Sequence, residues 1–363
     1  MRDASHDTSN DDLRVVQLGP YAPPHGGVRA NLIAIREFLR RRNIPCAVIN
    51  LTKHRQAPAE QVYYPRHAFQ LLWLLIRRRY DVIHLHVGGN LAPRLLALGI
   101  VCRLIPRART VLTLHSGGYP TSAAGRSTTR RSWRAFALRQ FDRLIGVNAE
   151  LLDFFHRLGC SPERTRLISP HAFSPPDDWT TADAERQWPS AFRQFRATHR
   201  PLLLTVGQLE PEYDLALQID ALTAIRKHHP DAGLAIIGAG SLEAELVGYA
   251  TASGSSKHVL LCGDVAHEAT LAAIAASDVL LRTTRYDGDS IAVREAIHLG
   301  TPVIATDNGM RPPGVHLFPP GDIEALCGAI DDALAIPSRD RSQPVRDERN
   351  LEAVLALYGE LVG

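Results

Sequence analysis

Residues Leu280 to Asp307 read LLRTTRYDGDSIAVREAIHLGTPVIATD, and the punctuation of this stretch decides the fold. The apolar run Val279–Leu281 predicts a buried strand, and Gly288 marks a polar turn. Ser290 stands where a helix N-cap belongs, Gly300 ends the helix, and Pro302–Ala305 predicts a second strand. A helix that opens directly after a strand aims unpaired backbone N–H groups and the positive end of its dipole above the sheet. That suits an anion. Asp287 in the turn and Glu295 in the helix bracket the opening, Arg282 and Arg285 lead into it, and Asp289, Ser290 and Ile291 complete it. Cations and amides suit a diphosphate, and carboxylates suit polyol hydroxyls. A nucleotide sugar carries both, although an ordinary α/β crossover with surface charges shows the same pattern.

The alternation repeats outward on both sides. Apolar runs at Arg14–Leu18, Ala47–Leu51, Val82–Leu85, Thr110–Leu114, Leu144–Val147 and Leu167–Ile168 predict one set of strands. Those at Leu202–Val206, Leu234–Ile237, Val259–Leu261, Val279–Leu281, Val303–Ala305 and Val315–Phe318 predict another. Near-continuous apolar strands separated by helices imply parallel sheets covered on both faces. Residues 173–200 interrupt the series with Pro, Asp and Trp and no β-run. The expected organisation is a disordered 1–12, a first domain over 13–175, a linker over 176–200, a second domain over 201–340 and a final helical segment over 341–363. Ligands of such sheets sit outside the carboxyl ends of the strands. His84, His86, His115 and Asn148 lie at those ends, and so do the loops holding Gly26-Gly27, Gly207-Gln208 and Gly238.

The block DGDSIAVREAIHLGTPVIATD is similar to the signature of glycosyltransferase family 4, retaining enzymes of the GT-B fold. In that signature two acids separated by seven residues precede an Ala and a later Gly-x-Pro-Val. Here they are Asp287, Glu295, Ala296 and Gly300-Thr301-Pro302-Val303, the first acid being Asp where the family has Glu. The resemblance implies two doubly wound Rossmann-like parallel-sheet domains facing each other across a cleft, with the terminal helix crossing back to the first. It also implies roles: Glu295 on the nucleotide ribose, Asp287 on donor-sugar hydroxyls, and His115 on the donor sugar. The Gly26-Gly27 loop would lie against the donor phosphates and Gly238 near base and ribose, leaving His86 and Asn148 on the acceptor side.

The pattern breaks after Val206. The family has Gly-Arg there and a Lys five residues after the Arg, a pair that holds the donor diphosphate. This chain has Gln208 and Tyr213 at those positions. The charge must come from elsewhere: Arg285 is the first candidate, then Arg282, with Arg311 a third. Glu210 and Glu212 oppose it. The expected activity is retaining, metal-independent transfer of a sugar from a nucleotide-diphosphate sugar to a glycan or lipid-linked acceptor, in surface polysaccharide or glycolipid biosynthesis, without a cofactor. A catalytically inactive sugar-nucleotide or glycan-binding protein on the same fold is the competing reading, favoured by the missing cations.

Composition bounds the rest. A chain of 363 residues with 45% hydrophobic residues, 22% charged and a net charge of +3 fits two soluble globular domains and names no partner. Nucleic acid is not among the partners expected. Lysine is confined to Lys53, Lys227 and Lys257, so cations at a site are expected to be arginines, suited to bidentate phosphate contact. The five cysteines lack short spacings and read as reduced core residues. The acidic opening MRDASHDTSNDD is unlike a signal peptide, and no apolar run reaches a membrane span. The expected location is the cytoplasm, peripheral on the inner face of the cell membrane. Phe69–Tyr80 and Arg126–Phe141 interleave arginine with large apolar residues, which describes either solvated helix faces or weak docking on anionic lipid.

Overall fold

In a computed structural model, runs of buried aliphatic residues form two wholly parallel sheets. The structure describes residues 13–21, 26–57, 59–89, 91–170, 180–285, 290–309, 311–335 and 348–363. The first sheet holds β1 (Val15–Gly19), β2 (Cys46–Asn50), β3 (Val62–Tyr63), β4 (Val82–Val87), β5 (Arg109–Leu114), β6 (Arg143–Gly146) and β7 (Thr165–Leu167), in the order β3-β2-β1-β4-β5-β6-β7. The second holds β8 (Leu202–Val206), β9 (Gly233–Ile237), β10 (Val259–Gly263), β11 (Val279–Arg282), β12 (Val303–Thr306) and β13 (His316–Phe318), in the order β10-β9-β8-β11-β12-β13. Each strand order reverses direction once, between β1 and β4 and between β8 and β11. Such switch points open a crevice at the carboxyl ends of the strands, where doubly wound sheets bind ligands.

Contacts divide the chain into one unit of Met1–His171 with Asp347–Gly363 and another of Ala172–Arg346. In the first, helices Ala68–Arg78, Pro93–Arg103, Trp133–Leu138 and Ala149–Arg157 bury Leu75, Leu96, Leu138 and Phe155 against one sheet face. The other face takes helix Gly27–Arg41, through Ile35, Phe38 and Leu39, and helix Arg349–Val362, through Leu351, Val354, Leu357 and Tyr358. Burying each such large side chain is worth roughly 1.5–3 kcal/mol, which holds the terminal helix on the first sheet.

Two segments differ from their sequence reading. The expected linker over 176–200 contains, in its described part, helices Thr181–Glu185 and Ser190–Thr198. Trp188, Phe192 and Phe195 from this segment lie in the second unit's core, and the Trp188 indole donates to the Ala269 carbonyl at 3.0 Å. Apolar residues at i, i+4 and i+7 make this an amphipathic face rather than a linker. The stretch 126–141 breaks into helices Ala123–Ser127 and Trp133–Leu138, because Ser122 and Ser132 each cap a new helix, accepting from Gly125 and Ala135.

Candidate active site

At the first switch point the polar residues of β1 and β4 point into the sheet's covered face. His84 and His86 are two residues apart on a strand, so they share a face. The side chains of Ile83, Leu85 and Val87 fill the opposite core. The Gln17 amide donates to the Leu32 carbonyl at 3.0 Å, and its oxygen meets His86 Nε2 at 2.9 Å. His86 Nδ1 in turn meets His115 Nε2 at 3.1 Å. His84 joins Tyr358 Oη at 2.6 Å and Thr113 Oγ1 at 2.7 Å. Burial pushes His84 down to about 3 and holds His86 well below the usual histidine range, with His84 and His115 adding to the latter. His115, half-buried after β5, is lowered by the same cause. The row is therefore uncharged at neutral pH. Gly19 is required beside it: a Cβ there would stand 2.9 Å from Leu32 Cδ1 and 3.1 Å from His86 Cβ.

Both residues expected on the acceptor side are engaged within the fold. His86 is buried with both ring nitrogens engaged, so it supports His115 and does not itself reach an acceptor. Asn148 uses its side-chain oxygen to cap helix Ala149–Arg157, accepting from Leu151 N–H at 3.0 Å. Gly26 sits at the N-cap of helix Gly27–Arg41 with extended backbone and without a side-chain cap; residues 22–25 of its loop lie outside the described residues.

At the second switch point the decisive side chain is Arg282, at the end of β11 and only 7% exposed. It donates from Nη1 to the Val206 carbonyl at 3.0 Å, at the end of β8, and its guanidinium lies 4.7 Å from the centre of the Tyr213 ring. Tyr213 packs across Gly207, where a Cβ would stand 2.3 Å from the ring. Tyr213, at the position of the family's lysine, thus supports a guanidinium arriving from another strand, a contact that desolvation strengthens to about 2 kcal/mol. The ring is anchored from behind: Thr283 Oγ1 donates to the Tyr213 carbonyl at 2.7 Å and receives the Gln218 amide at 2.7 Å.

Arg311 reaches the same strand ends, donating to the Thr306 carbonyl at 3.1 Å and to Thr284 Oγ1 at 3.0 Å. Arg285, the stronger candidate from sequence, is 68% exposed in its side chain and paired with Asp214 at 3.3 Å. Gln208 is exposed. The Glu210 carboxylate is taken by Ser241, through its N–H at 3.0 Å and hydroxyl at 2.6 Å, which lowers its affinity for a proton. Gly238, with φ of +141°, brings its backbone so close to Gly207 that a Cβ would stand 1.7 Å from the Gly207 oxygen. No other residue type fits there.

Ser290 occupies the N-cap position of helix Ile291–His298, but its hydroxyl makes no capping bond, so the first-turn amides are not claimed by it. Glu295 is 3% exposed and meets His267 Nε2 at 2.6 Å through Oε1. Asp287 and Asp289 lie outside the described residues. The sequence reading missed Gln17, Tyr358 and His267. A glutamine inside the apolar run RVVQL is a signal for the first; nothing local marks the other two.

Residues 25–172 match the family model described as Glycosyltransferase Family 4, and residues 187–349 match that of Glycosyl transferases group 1. The chain belongs to the GT-B glycosyltransferases. This GT-B chain is 27% identical over 272 residues to glycogen synthase of Mycobacterium tuberculosis, covering 72% of the chain and 61% of the relative. It is 30% identical over 153 residues to the GDP-mannose-dependent alpha-(1-6)-phosphatidylinositol monomannoside mannosyltransferase of Mycolicibacterium smegmatis, covering 39% of the chain and 40% of the relative. The chain thus spans about three fifths or less of these curated relatives. Its fold is that of the Anabaena HepE crystal structure in complex with UDP-glucose, with a TM-score of 0.63, 16% identity and 96% of each chain covered.

Proposed function

We propose that the chain is a retaining, metal-independent glycosyltransferase that moves a sugar from a nucleotide-diphosphate sugar to a glycan or lipid-linked acceptor. The observation that carries this reading is Arg282. Its guanidinium stands at the strand end where the family keeps its phosphate-binding pair, held by the Val206 carbonyl and the Tyr213 ring. With Arg311 and the amides opening helix Ile291–His298, it supplies positive charge to a diphosphate. Glu295, steadied by His267, accepts from ribose hydroxyls. The acceptor oxygen bonds to the anomeric carbon as the bond to the diphosphate oxygen breaks, and the departing diphosphate takes the acceptor's proton on the same face. Catalysis then rests on charge stabilisation and positioning. UDP and GDP serve as calorimetric probes. Arg282→Met should weaken the tighter of them by about 10–100-fold, the loss of a charge-assisted contact worth about 1.5–3 kcal/mol. Unchanged affinity in Arg282→Met, with binding lost in Glu295→Ala, favours the catalytically silent binding protein instead.

A specific surface favours a membrane-borne acceptor. Between Gln61 and Phe141 the chain carries thirteen arginines against one acid, Asp81. The helices here that cover one face of the first sheet leave Phe69 (75%), Trp73, Ile76, Leu104 (76%), Trp133 and Phe136 exposed. Aromatic and aliphatic side chains among arginines match an anionic lipid surface, where each cation contributes about 1 kcal/mol. Among the described residues no helix is long and apolar enough to cross a membrane. Flotation with anionic vesicles at low salt should recover the protein and high salt should release it; no recovery at low salt removes the lipid partner.

A further inference from the structure

The hydrogen-bond row of the first unit has a direction, and it ends at the rim. The Leu32 carbonyl can only accept, so the Gln17 NH2 group faces it at 3.0 Å and the Gln17 oxygen faces His86. That oxygen also can only accept, so His86 carries its proton on Nε2. A neutral His86 then has a bare Nδ1, and the group 3.1 Å away, His115 Nε2, must be the donor. A neutral His115 with its proton on Nε2 has a bare Nδ1. No partner for that nitrogen is found among the described residues.

We infer that Gln17 and His86 are positioning residues that lock His115 into the Nε2–H form, so that its outward nitrogen is an obligate acceptor reading a sugar hydroxyl. A backbone carbonyl three groups away thereby sets what the rim recognises: a hydroxyl donor fits, whereas a phosphate or carboxylate oxygen meets a lone pair. Removing Gln17 frees His86 to turn over its tautomer, and His115 follows. Burial of His86 and the half-burial of His115 support the neutral state that the relay requires. The hydroxyl ligand rests on the sugar-nucleotide reading above; the tautomer does not.

Long-range nitrogen–proton NMR of histidine-labelled protein near pH 7.5, assigned with His115→Asn and His86→Gln, reads the tautomers directly. His86 and His115 are expected as Nε2–H imidazoles, with the bare His115 Nδ1 resonance moving when UDP-glucose or GDP-mannose binds. In Gln17→Met the His115 signal should shift toward the Nδ1–H form, and kcat/KM for the accepted nucleotide sugar should fall about 10-fold with the Kd for free UDP or GDP unchanged. A protonated His115 Nδ1 in the wild type overturns the proposal, as does a Gln17→Met protein with unaltered His115 tautomer. If Gln17→Met does not fold, the wild-type spectrum alone still decides. The expected tautomers in a protein that turns over no nucleotide sugar would leave the relay standing and remove the transferase reading.

Discussion

The two switch points share a topology and differ in charge. At the first, between β1 and β4, the polar groups are imidazoles, an amide and hydroxyls, neutral and linked by hydrogen bonds to one another. At the second, between β8 and β11, they are guanidinium groups leaning on carbonyls and an aromatic ring, beside helix amides. The same sheet geometry therefore yields one neutral rim and one cationic rim, which under the proposed function would meet sugar hydroxyls and diphosphate charge respectively. The identity of a few buried polar side chains, and not the fold, decides which is which.

Acid should separate the two rims most sharply. Unfolded histidine titrates near 6.5, whereas His84 in the fold is held at about 3 and His86 well below its usual range. Below 6.5 the unfolded chain binds more protons, so the stability these rings confer is complete above that pH and is lost as pH falls toward 3. Counting the two fully buried rings, the slope is about 3 kcal/mol per pH unit below 6.5. Denaturant titrations at pH 7, 6 and 5 measure it, and His84→Gln should remove about half. A slope no steeper than one proton would break the contrast.

Glu295 tests the charged rim next. Replacing it with Ala deletes the proposed acceptor of ribose hydroxyls and removes the His267–Glu295 contact. Nucleoside diphosphate affinity should fall roughly 10–100-fold by calorimetry. Folding free energy should change less than in the acid titration, since the lost bond joins two side chains of the second unit only. Asn148→Ala is the counterpart on the neutral side. Losing the cap of helix Ala149–Arg157 costs about 1 kcal/mol of stability, while kcat/KM stays within twofold. A larger loss of kcat/KM would return Asn148 to the acceptor side.

The sheets were legible because strands buried on both faces read as continuous aliphatic runs, and twelve of the thirteen strands lie on such runs or overlap them. β3 was not, being two residues long. Helices Thr181–Glu185 and Ser190–Thr198 were hidden by their Pro and Asp content, although Trp188, Phe192 and Phe195 carry the helical spacing. The positions of Ser290 and Glu295 were legible because one segment carries both, at the opening and in the body of helix Ile291–His298. Arg282 read as one cation among several, because its burial depends on Tyr213 and Val206, roughly seventy positions earlier. His86 read as a rim residue because its partners, Gln17 and His115, come from two other segments.

Arg285 supplies the smallest and most discriminating test. An exposed ion pair such as Arg285 with Asp214 adds about 0–1 kcal/mol to stability, so Arg285→Ala should leave the denaturation midpoint almost unmoved. Its weight for the ligand depends on Asp214, which neutralises it. Asp214 has φ of +49°, a conformation that asparagine tolerates well, so Asp214→Asn removes the charge without straining the turn. If Arg285 belongs to the phosphate-holding set alongside Arg282, freeing it should tighten UDP or GDP binding about threefold, and the gain should vanish as salt is raised. An affinity unchanged by Asp214→Asn places Arg285 outside the ligand's field and leaves Arg282, with Arg311, as the cations that stand in for the family's missing pair.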